Sequence, residues 1–162
     1  MGKSTFARRR KATPFPLLVI EKDADQWLLI RSALARGFPE AEPVWVNNAA
    51  QAMTYLETAS RNESSLPRLI LVELHLPGRE AGFGLLKTLK THLLYRSIPL
   101  VVLSRSQQPT DIVESYGLGI ASYIIKPVTT HRWLSCFYTF RRYWLESVAL
   151  PEQRTYSWPV SQ

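Results

Sequence analysis

Five short apolar segments alternate with five longer segments of helical periodicity along this chain, and this alternation constrains the fold more than any other feature. The apolar segments are continuous and rich in branched residues, which is typical of strands covered on both faces. Parallel strands need crossover connections, and the helical segments between them supply these. The sequence therefore predicts a flavodoxin-like α/β domain with a five-stranded parallel sheet and helices on both faces. The predicted strands are residues 14–21, 43–47, 68–74, 98–104 and 121–126.

The helical segments carry apolar residues at intervals of three or four, as Trp27, Ile30 and Leu34 do in the first. The last segment is the longest, and we expect it to form one terminal helix. The predicted helices are residues 24–37, 48–60, 82–92, 108–119 and 129–150.

Polar residues lie at or directly after the carboxyl ends of four of the predicted strands. In parallel sheets, ligands bind beyond the carboxyl ends of the strands, where the strand order reverses. We therefore expect the functional site to be built from Glu21, Lys22, Glu73, Ser104, and Lys126 with Pro127.

The length of 162 residues suits one domain with a real hydrophobic core. We predict a disordered basic arm over 1–14, a domain over 15–149 and a tail over 150–162.

The lone Cys136 excludes an intramolecular disulfide and a cysteine-based zinc site. No apolar run approaches the ~20 residues of a membrane span, and the start lacks the apolar core of a signal peptide. We expect a cytoplasmic protein that makes no membrane contact.

The formal net charge of +7 is uneven, because Lys3, Arg8, Arg9, Arg10 and Lys11 precede the first apolar segment. Such an arm can bind nucleic acid or anionic lipid by releasing counterions. The alternative is a solvated tail that aids solubility, and we favour this alternative over nucleic-acid binding.

Three motifs resemble the receiver domain of bacterial two-component response regulators, over residues 16 to about 147. They are LLVIEKDADQWLLIRSAL, PRLILVELHLPG and IPLVVLSRSQQPTDIVESYGLGIASYIIKPV. The resemblance implies a phosphorylated aspartate after the third strand and two acids after the first that help to hold Mg²⁺. It also implies a serine or threonine after the fourth strand and a lysine after the fifth. Ser104 and Lys126 match, as do Tyr123, at the aromatic switch position, and Pro127, which in the family follows a cis peptide bond.

Two positions depart from the family pattern. Glu73 replaces the aspartate, and Lys22 replaces the second acid, while Glu21 remains at the first. Glutamate is one methylene longer than aspartate, which displaces its oxygens, and in-line phosphoryl transfer depends on position. An ammonium in place of a ligand brings a like charge to the cation. We expect the Lys22 ammonium to occupy the place of the metal, paired with Glu21 and Glu73, so that neither Mg²⁺ binding nor phosphorylation occurs.

The role of Glu73 is open at this point. In one interpretation, Glu73 mimics phosphoaspartate and biases Ser104 and Tyr123 toward the active arrangement. In the other, it belongs to a structural ion cluster, whose further members are Glu21, Lys22 and Lys126. The alternative for Ser104 is that it is an ordinary polar residue at a strand end. The alternative for Tyr123 is that its side chain only packs on the fifth strand. The three histidines, His75, His92 and His131, show no metal spacing, and we predict that each lies on the surface.

The last helix carries more aromatic residues than one face can bury. Trp133, Phe137, Phe140 and Trp144 form one core-facing stripe, which places Tyr138, Tyr143 and Leu145 elsewhere. Together with arginine, such residues are enriched in protein interfaces. We predict a homodimer through the last helix and fifth strand, unless the tail covers this surface through Tyr156 and Trp158. The interface candidates are Trp133, Phe137, Tyr138, Arg141, Arg142, Tyr143 and Trp144.

We therefore predict a stand-alone pseudo-receiver, a protein-interaction module in signalling that is not an enzyme, uses no cofactor or metal and is not switched by aspartyl phosphate. One alternative is a regulator phosphorylated on Glu73 or an unusual acceptor, and another is a receiver-like module tethered to nucleic acid by its arm.

Overall fold

The fold is a five-stranded parallel sheet with helices on both faces, as the alternation predicts. The computed structural model describes residues 13–61 and 66–151. The strand order is β2-β1-β3-β4-β5, so the order reverses between β1 and β3. Each pair of neighbours is parallel, with Ile20 opposite Val72 and Ser104 opposite Ile125. The strands are β1 Phe15–Ile20, β2 Ala41–Val46, β3 Leu69–Val72, β4 Leu100–Ser104 and β5 Ser122–Ile125.

Helices connect the strands in the expected alternation. The predicted single terminal helix is wrong in one respect, because α-helical geometry ends at Arg141 and a π-helical segment, Arg142–Ser147, continues it. The wider hydrogen-bonding of this segment is visible where the Val148 amide donates to the carbonyl of Tyr143. The helices are α1 Ala24–Gly37, α2 Ala49–Arg61, α3 Arg79–Thr91, α4 Pro109–Gly117 and α5 Thr130–Arg141.

The sheet separates two hydrophobic cores. One lies under α2 and α3 and contains Leu56 and Leu86, and the other lies under α1 and α5 and contains Leu34 and Phe137. Successive strand residues point to opposite faces, so each strand supplies both cores. Because all five strands are parallel, their carboxyl ends lie along one edge of the sheet.

Trp27 is only partly buried, although Ile30 and Leu34 of the same predicted stripe are buried. Its ring stacks on Trp45 of β2 with 5.7 Å between centroids and 9° between planes. The indole Nε1 of Trp45 donates to the backbone carbonyl of Glu21 at 2.8 Å. The tryptophan pair therefore fastens the chain at the point where β1 ends.

One glycine permits a very close approach of α3 to the end of β3. A Cβ built on Gly82 would lie 1.5 Å from the carbonyl oxygen of Leu74, which only a residue without a side chain can accommodate. Gly84, two residues along the same helix, faces open space. The contact at Gly82 holds α3 close to the loop that begins with Glu73.

Several predicted features lie outside the described residues. These are the basic arm up to residue 12 and the tail from residue 152, including Tyr156 and Trp158, and residues 62–65 lie outside the described ranges as well. Within the described ranges, no helix is long and apolar enough to cross a membrane.

Candidate functional site

The polar residues that follow the strands meet at one edge of the sheet. The pairing of Ile20 with Val72 places the next residues, Glu21 and Glu73, side by side, and the Glu73 amide donates to the Ile20 carbonyl at 2.9 Å. On the far side, the Lys126 amide donates to the Ser104 carbonyl at 2.8 Å. The backbone ladder thus brings together four of the predicted site residues.

Lys126 bridges the two glutamates. Its Nζ lies 2.9 Å from Glu21 Oε2 and 2.6 Å from Glu73 Oε2. All three side chains are at most 6% exposed. Close opposite charges and hydrogen bonds offset the cost of burying them, and removal of one member leaves a buried charge unpaired.

The prediction that Lys22 occupies this place is wrong. Lys22 is exposed, and its ammonium makes no ion pair with any residue that the structure describes. The reason is local, because Glu21 is buried directly after β1 whereas Lys22 lies at a bend and is exposed on the rim of the cleft over the site. The cation between the glutamates therefore comes from the end of β5 and not from the end of β1.

Glu73 has partners for both of its carboxylate oxygens. Oε2 faces Lys126, while Oε1 accepts from Ser104 Oγ at 2.9 Å and from the His75 amide at 3.2 Å. The His75 ring Nδ1 lies 3.4 Å from the same oxygen. His75 has a side chain that is 40% exposed, as the surface prediction requires, but it also contributes to the site, which its isolated position in the sequence does not indicate.

The two carboxyl groups respond oppositely to this environment. Burial alone would raise the pKa of Glu73, but the charge and hydrogen bond of Lys126, with the hydrogen bonds from His75 and Ser104, lower that pKa below its ordinary value. For Glu21, burial raises the pKa, and Lys126 offsets this only in part. Glu73 is therefore the carboxylate that holds its negative charge more firmly.

These residues do not fit a magnesium ion. Mg²⁺ requires oxygen ligands in nearly octahedral geometry. Glu21 and Glu73 share an ammonium instead, and no group of three or more His, Cys, Asp or Glu side chains in the described parts of the chain could hold a metal. The carboxylate oxygens of this site are therefore bound to the Lys126 ammonium, as in an ion cluster without a metal.

Tyr123 is joined to the site through the loop after β4. Its hydroxyl donates to the Ser106 carbonyl at 2.8 Å, and Ser106 Oγ donates to Asp111 Oδ2 at 2.5 Å. Arg79 Nε donates to Asp111 Oδ1 at 2.7 Å, and its Nη2 donates to Glu114. The hydrogen bonds from Ser106 and Arg79 lower the pKa of Asp111. This chain of contacts fixes α4 against the start of α3.

Sequence reasoning did not find Ser106, Asp111 or Arg79. Only Ser106 carries a local signal, because it lies two residues beyond Ser104 in the loop after β4, where its amide donates to Ser104 Oγ at 3.3 Å. The implied cis bond before Pro127 is also wrong, because among the described residues the cis bond is Leu76–Pro77 and the Lys126–Pro127 bond is trans. Trans is the ordinary preference of a prolyl bond unless tertiary contacts oppose it.

An open cleft of about 560 Å³ lies over the cluster. Glu21, Glu73 and Lys126 form its floor, while Lys22 and Arg105 lie on its exposed rim. The polar floor is fully paired, since no buried side-chain nitrogen or oxygen in the described structure lacks a hydrogen-bond partner.

Comparison with known proteins identifies this arrangement. A family model described as the response regulator receiver domain matches residues 17–136. The chain belongs to this family. The receiver is 30% identical over 132 residues to the probable methanogenesis regulatory protein FilR2 of Methanothrix harundinacea, covering 82% of this chain and 84% of that protein. It is 28% identical over 139 residues to the response regulator Rcp1 of Synechocystis, covering 85% and 94%.

Solved receivers share the fold closely. The structure of the phosphorylated cyanobacterial phytochrome response regulator RcpA has a TM-score of 0.75 at 31% identity, over 86% of this chain and 99% of that chain. The Mn²⁺-bound form of Rcp1 has a TM-score of 0.73 at 28% identity, over 86% and 100%. The receiver described here is therefore a response-regulator module of two-component signalling.

The last helix of the receiver divides into buried and exposed residues. Three of the interface candidates, Trp133, Phe137 and Trp144, are wrong, because they are at most 7% exposed in the core under α1 and α5. Leu145 also packs against that core instead of lying apart from it.

The remaining interface candidates differ in their contacts. Arg141 is held within the chain by bidentate hydrogen bonds to Glu40 and by an ion pair with Glu146. Tyr138 and Tyr143 are 57% and 52% exposed, and Arg142 is exposed as well. The free surface of the last helix is thus smaller than its aromatic content predicts.

Proposed function

We propose that this receiver is a signalling module that binds protein partners and whose arrangement is set by the carboxylate of Glu73, not by phosphorylation of an aspartate. On this proposal, the chain performs no catalytic turnover. Its switch positions, Ser104 and Tyr123, stay in the arrangement that Glu73 and Lys126 favour.

The observation that carries the proposal is the sharing of Glu73 between Ser104 and Lys126. The two distances from the Glu73 oxygens are 2.9 Å to Ser104 Oγ and 2.6 Å to Lys126 Nζ. The resemblance implies that a serine or threonine after the fourth strand and a lysine after the fifth accompany the phosphorylated aspartate, and Ser104 and Lys126 stand at these two positions. A built-in carboxylate that already engages both supports a preset arrangement over a switch.

The departures at the acid positions support the same proposal. Phosphoryl transfer depends on charge neutralisation and on the placement of the attacking oxygen. RcpA is described in a phosphorylated form and Rcp1 in a Mn²⁺-bound form. In this chain, Lys22 stands where the family pattern has an acid, and Lys126 already neutralises Glu73.

Treatment with acetyl phosphate and Mg²⁺, followed by intact-mass measurement, tests the proposal. We expect no gain of a phosphoryl group and no Mg²⁺-dependent binding of beryllofluoride. A stoichiometric, Mg²⁺-dependent adduct would favour the alternative, a phosphorylated regulator, and would end the proposal.

A homodimer through the last helix and β5 is a second part of the proposal. Tyr138, Tyr143 and Ile125 are exposed apolar side chains on these elements, at 57%, 52% and 42%. Exposed apolar surface of this kind marks partner sites, and a twofold dimer is the commonest way for one chain to cover it. Arg142 of the same terminal segment is also exposed, and its guanidinium forms no ion pair with any residue in 13–61 or 66–151.

A further inference from the structure

The five strands begin at the side of the sheet opposite to the ion cluster. Each of the helices α1 to α4 leads from a strand end back to the start of the next strand, so these helices finish at this side. The end of α5 lies there too, because Arg141 pairs with Glu40 in the connection that leads into β2. We call this side the amino edge. It comprises the connections 38–40, 62–68, 92–99 and 118–121, the adjoining helix and strand turns, the π-helical segment and the chain before β1.

Cations predominate at the amino edge. The ion pairs of its described residues are Arg61–Glu57, Arg141–Glu40 and Arg141–Glu146. Apart from these, the described part of the edge carries one acid, Glu42, and six cations. The six are Arg36, Arg68, Lys87, Lys90, Arg96 and Arg142. Glu63, outside the described ranges, adds one acid, whereas the basic arm adds five cations.

This positive excess belongs to one side of the molecule. The described residues away from the amino edge carry six lysines and arginines against seven acids. Cations in last helical turns offset the partial negative charge of helix ends, which accounts for Arg36 and Lys90. Arg68, Arg96 and the basic arm lie outside the helices, so helix ends do not account for them.

The connection from α3 to β4 presents two adjacent leucines to water. Leu93 and Leu94 are 77% and 42% exposed. The turn that carries them is held in place, because the His92 ring stacks on buried Tyr95 with 3.9 Å between centroids and its Nδ1 accepts from the Leu94 amide at 3.1 Å. We call Leu93 and Leu94 the leucine tip.

The leucine tip lies among cations. Lys90 and Arg96 precede and follow it, and Lys90 Nζ donates to the Arg96 carbonyl at 2.8 Å. The sequence contains no acid between Glu80 and Asp111. The basic arm leads into β1, and because β1, β3 and β4 are successive neighbours, the starts of β1 and β4 are about 10 Å apart. The arm and the leucine tip therefore share one side of the molecule.

We propose that the amino edge binds the surface of a bilayer that contains anionic lipids. The leucine tip enters the boundary between headgroups and acyl chains, and the surrounding cations and the basic arm pair with the anionic headgroups. The expectation of no membrane contact rests on the lack of a run long enough to span, which a peripheral contact does not need. The proposal does not depend on the proposed function, because the ion cluster lies at the opposite edge and stays accessible to protein partners.

The leucine tip favours a bilayer over a nucleic acid. Phosphates of a nucleic acid would neutralise the cations but leave Leu93 and Leu94 in water, because bases stack on aromatic rings and guanidinium planes. A bilayer offers anionic groups and an apolar layer together. Stable attachment takes two such signals, since a small apolar contact is weak alone.

Co-sedimentation of the full chain with vesicles tests the proposal. One kind of vesicle consists of phosphatidylcholine, and the other of phosphatidylcholine and phosphatidylglycerol in equal parts. We expect binding to the second kind only, and this binding should weaken as salt rises. No binding to either kind, or equal binding to both, would overturn the proposal.

Substitution of the leucine tip separates insertion from plain charge attraction. Leu93→Ser with Leu94→Ser should weaken binding to the anionic vesicles about tenfold, because two apolar side chains lose their contact with the acyl layer. The matched control is Leu28→Ser with Val128→Ser, which are exposed at the opposite edge and should leave the affinity unchanged. If the tip variant binds as the parent does, the edge attracts polyanions in general and the proposal fails.

Substitution of cations locates the charge contact. Lys87→Ala with Arg96→Ala should weaken binding about tenfold. Arg105→Ala with Arg132→Ala removes the same charge from exposed positions away from the amino edge and should have little effect. Equal losses in the two variants would show that only net charge matters, which contradicts a defined surface.

A dye that fluoresces more strongly in apolar surroundings reports insertion directly. Nitrobenzoxadiazole is attached to Leu93→Cys in a chain whose single native cysteine is removed by Cys136→Ser. Its fluorescence should rise when anionic vesicles are added, whereas the same dye on Leu28→Cys should not respond. No rise at position 93, or equal rises at both positions, would refute insertion of the leucine tip.

Discussion

Lys126 Nζ lies 2.6 Å from Glu73 Oε2, and both groups are almost completely buried. The lysine comes from the end of an edge strand, while the glutamate comes from the centre of the sheet. This ion pair, together with Glu21, joins three of the five strand ends. It should therefore affect stability as well as function.

Replacement of Lys126 by methionine should destabilise the fold by about 3–5 kcal/mol, because two carboxylates remain buried without their cation. Lys22→Met is the matched control. It removes an exposed ammonium and should change stability by no more than about 0.5 kcal/mol. Urea unfolding of the two variants measures the difference, and equal effects would show that Lys126 is not the essential cation.

Repair of the acid positions should restore metal binding. Position 22 lies on the rim of the cleft that holds Glu21 and Glu73. The double variant Lys22→Asp with Glu73→Asp adds a carboxylate at this rim, which Mg²⁺ prefers as a ligand, and returns the acceptor to its shorter length. Neither single variant should suffice. Mg²⁺ titration and intact mass after acetyl phosphate report the result, and strong phosphorylation of Glu73→Asp alone would mean that position 22 matters little.

The stability contributed by Glu73 should depend on pH in a defined direction. Its folded-state pKa is lowered, so the contribution is fully present above the ordinary value of 4.5 and is lost as the pH falls through the folded pKa. The folded-state pKa of Glu21 is raised, so its contribution to stability is present below the ordinary value of 4.5 and is lost as the pH rises through the folded pKa. At pH 7, Glu73→Gln should therefore destabilise more than Glu21→Gln. Urea unfolding from pH 3 to pH 7 compares the variants with the parent, and the reverse order at pH 7 would contradict the assignment.

Gly82→Ala should destabilise the protein by about 3 kcal/mol or more, because its Cβ would overlap the carbonyl of Leu74. Gly84→Ala, in the same helix with open space around it, should stabilise by about 0.5–1 kcal/mol. Thermal and urea unfolding of both variants check this contrast. Similar effects at the two positions would show that the approach of α3 to Leu74 is looser than described.

Self-association should depend on the exposed tyrosines of the last helix. Sedimentation of the parent should show a dimer at high micromolar concentration, and Tyr138→Glu with Tyr143→Glu should be a monomer, because two new charges would face each other across the twofold axis. Both side chains lie outside the core, so the fold should survive. A monomeric parent, or a variant that dimerises equally well, would assign this surface to another partner.

The sheet and its edge could be predicted from the sequence because the strand pattern and the direction of a parallel sheet determine them. Glu21, Glu73, Ser104 and Lys126 lie at the carboxyl ends of four different strands, and parallel pairing makes their convergence necessary. The identity of the bridging lysine could not be predicted in the same way, because the bend after β1 that leaves Lys22 exposed is not part of the strand pattern. The contact of Arg79 with Asp111 could not either, because the two residues are 32 positions apart and no local pattern links them.

The free surface of the last helix was overestimated for a different reason. A helical pattern assigns residues to faces but does not tell what packs on each face. The π-helical segment rotates the end of the helix, so that Trp144 and Leu145 both face the core. Arg141 is likewise not free for a partner, because its guanidinium donates hydrogen bonds to Glu40, which lies 101 residues earlier in the sequence.

The stacked indoles of Trp27 and Trp45 give this receiver an optical reporter of its own site. Two parallel rings 5.7 Å apart couple their electronic transitions, and one of them is bonded to the backbone of Glu21. Near-ultraviolet circular dichroism of the unlabelled protein should therefore register a displacement of the β1–α1 loop. Occupation of the sheet edge can then be followed in the native chain, without a dye, through the light its own tryptophans absorb.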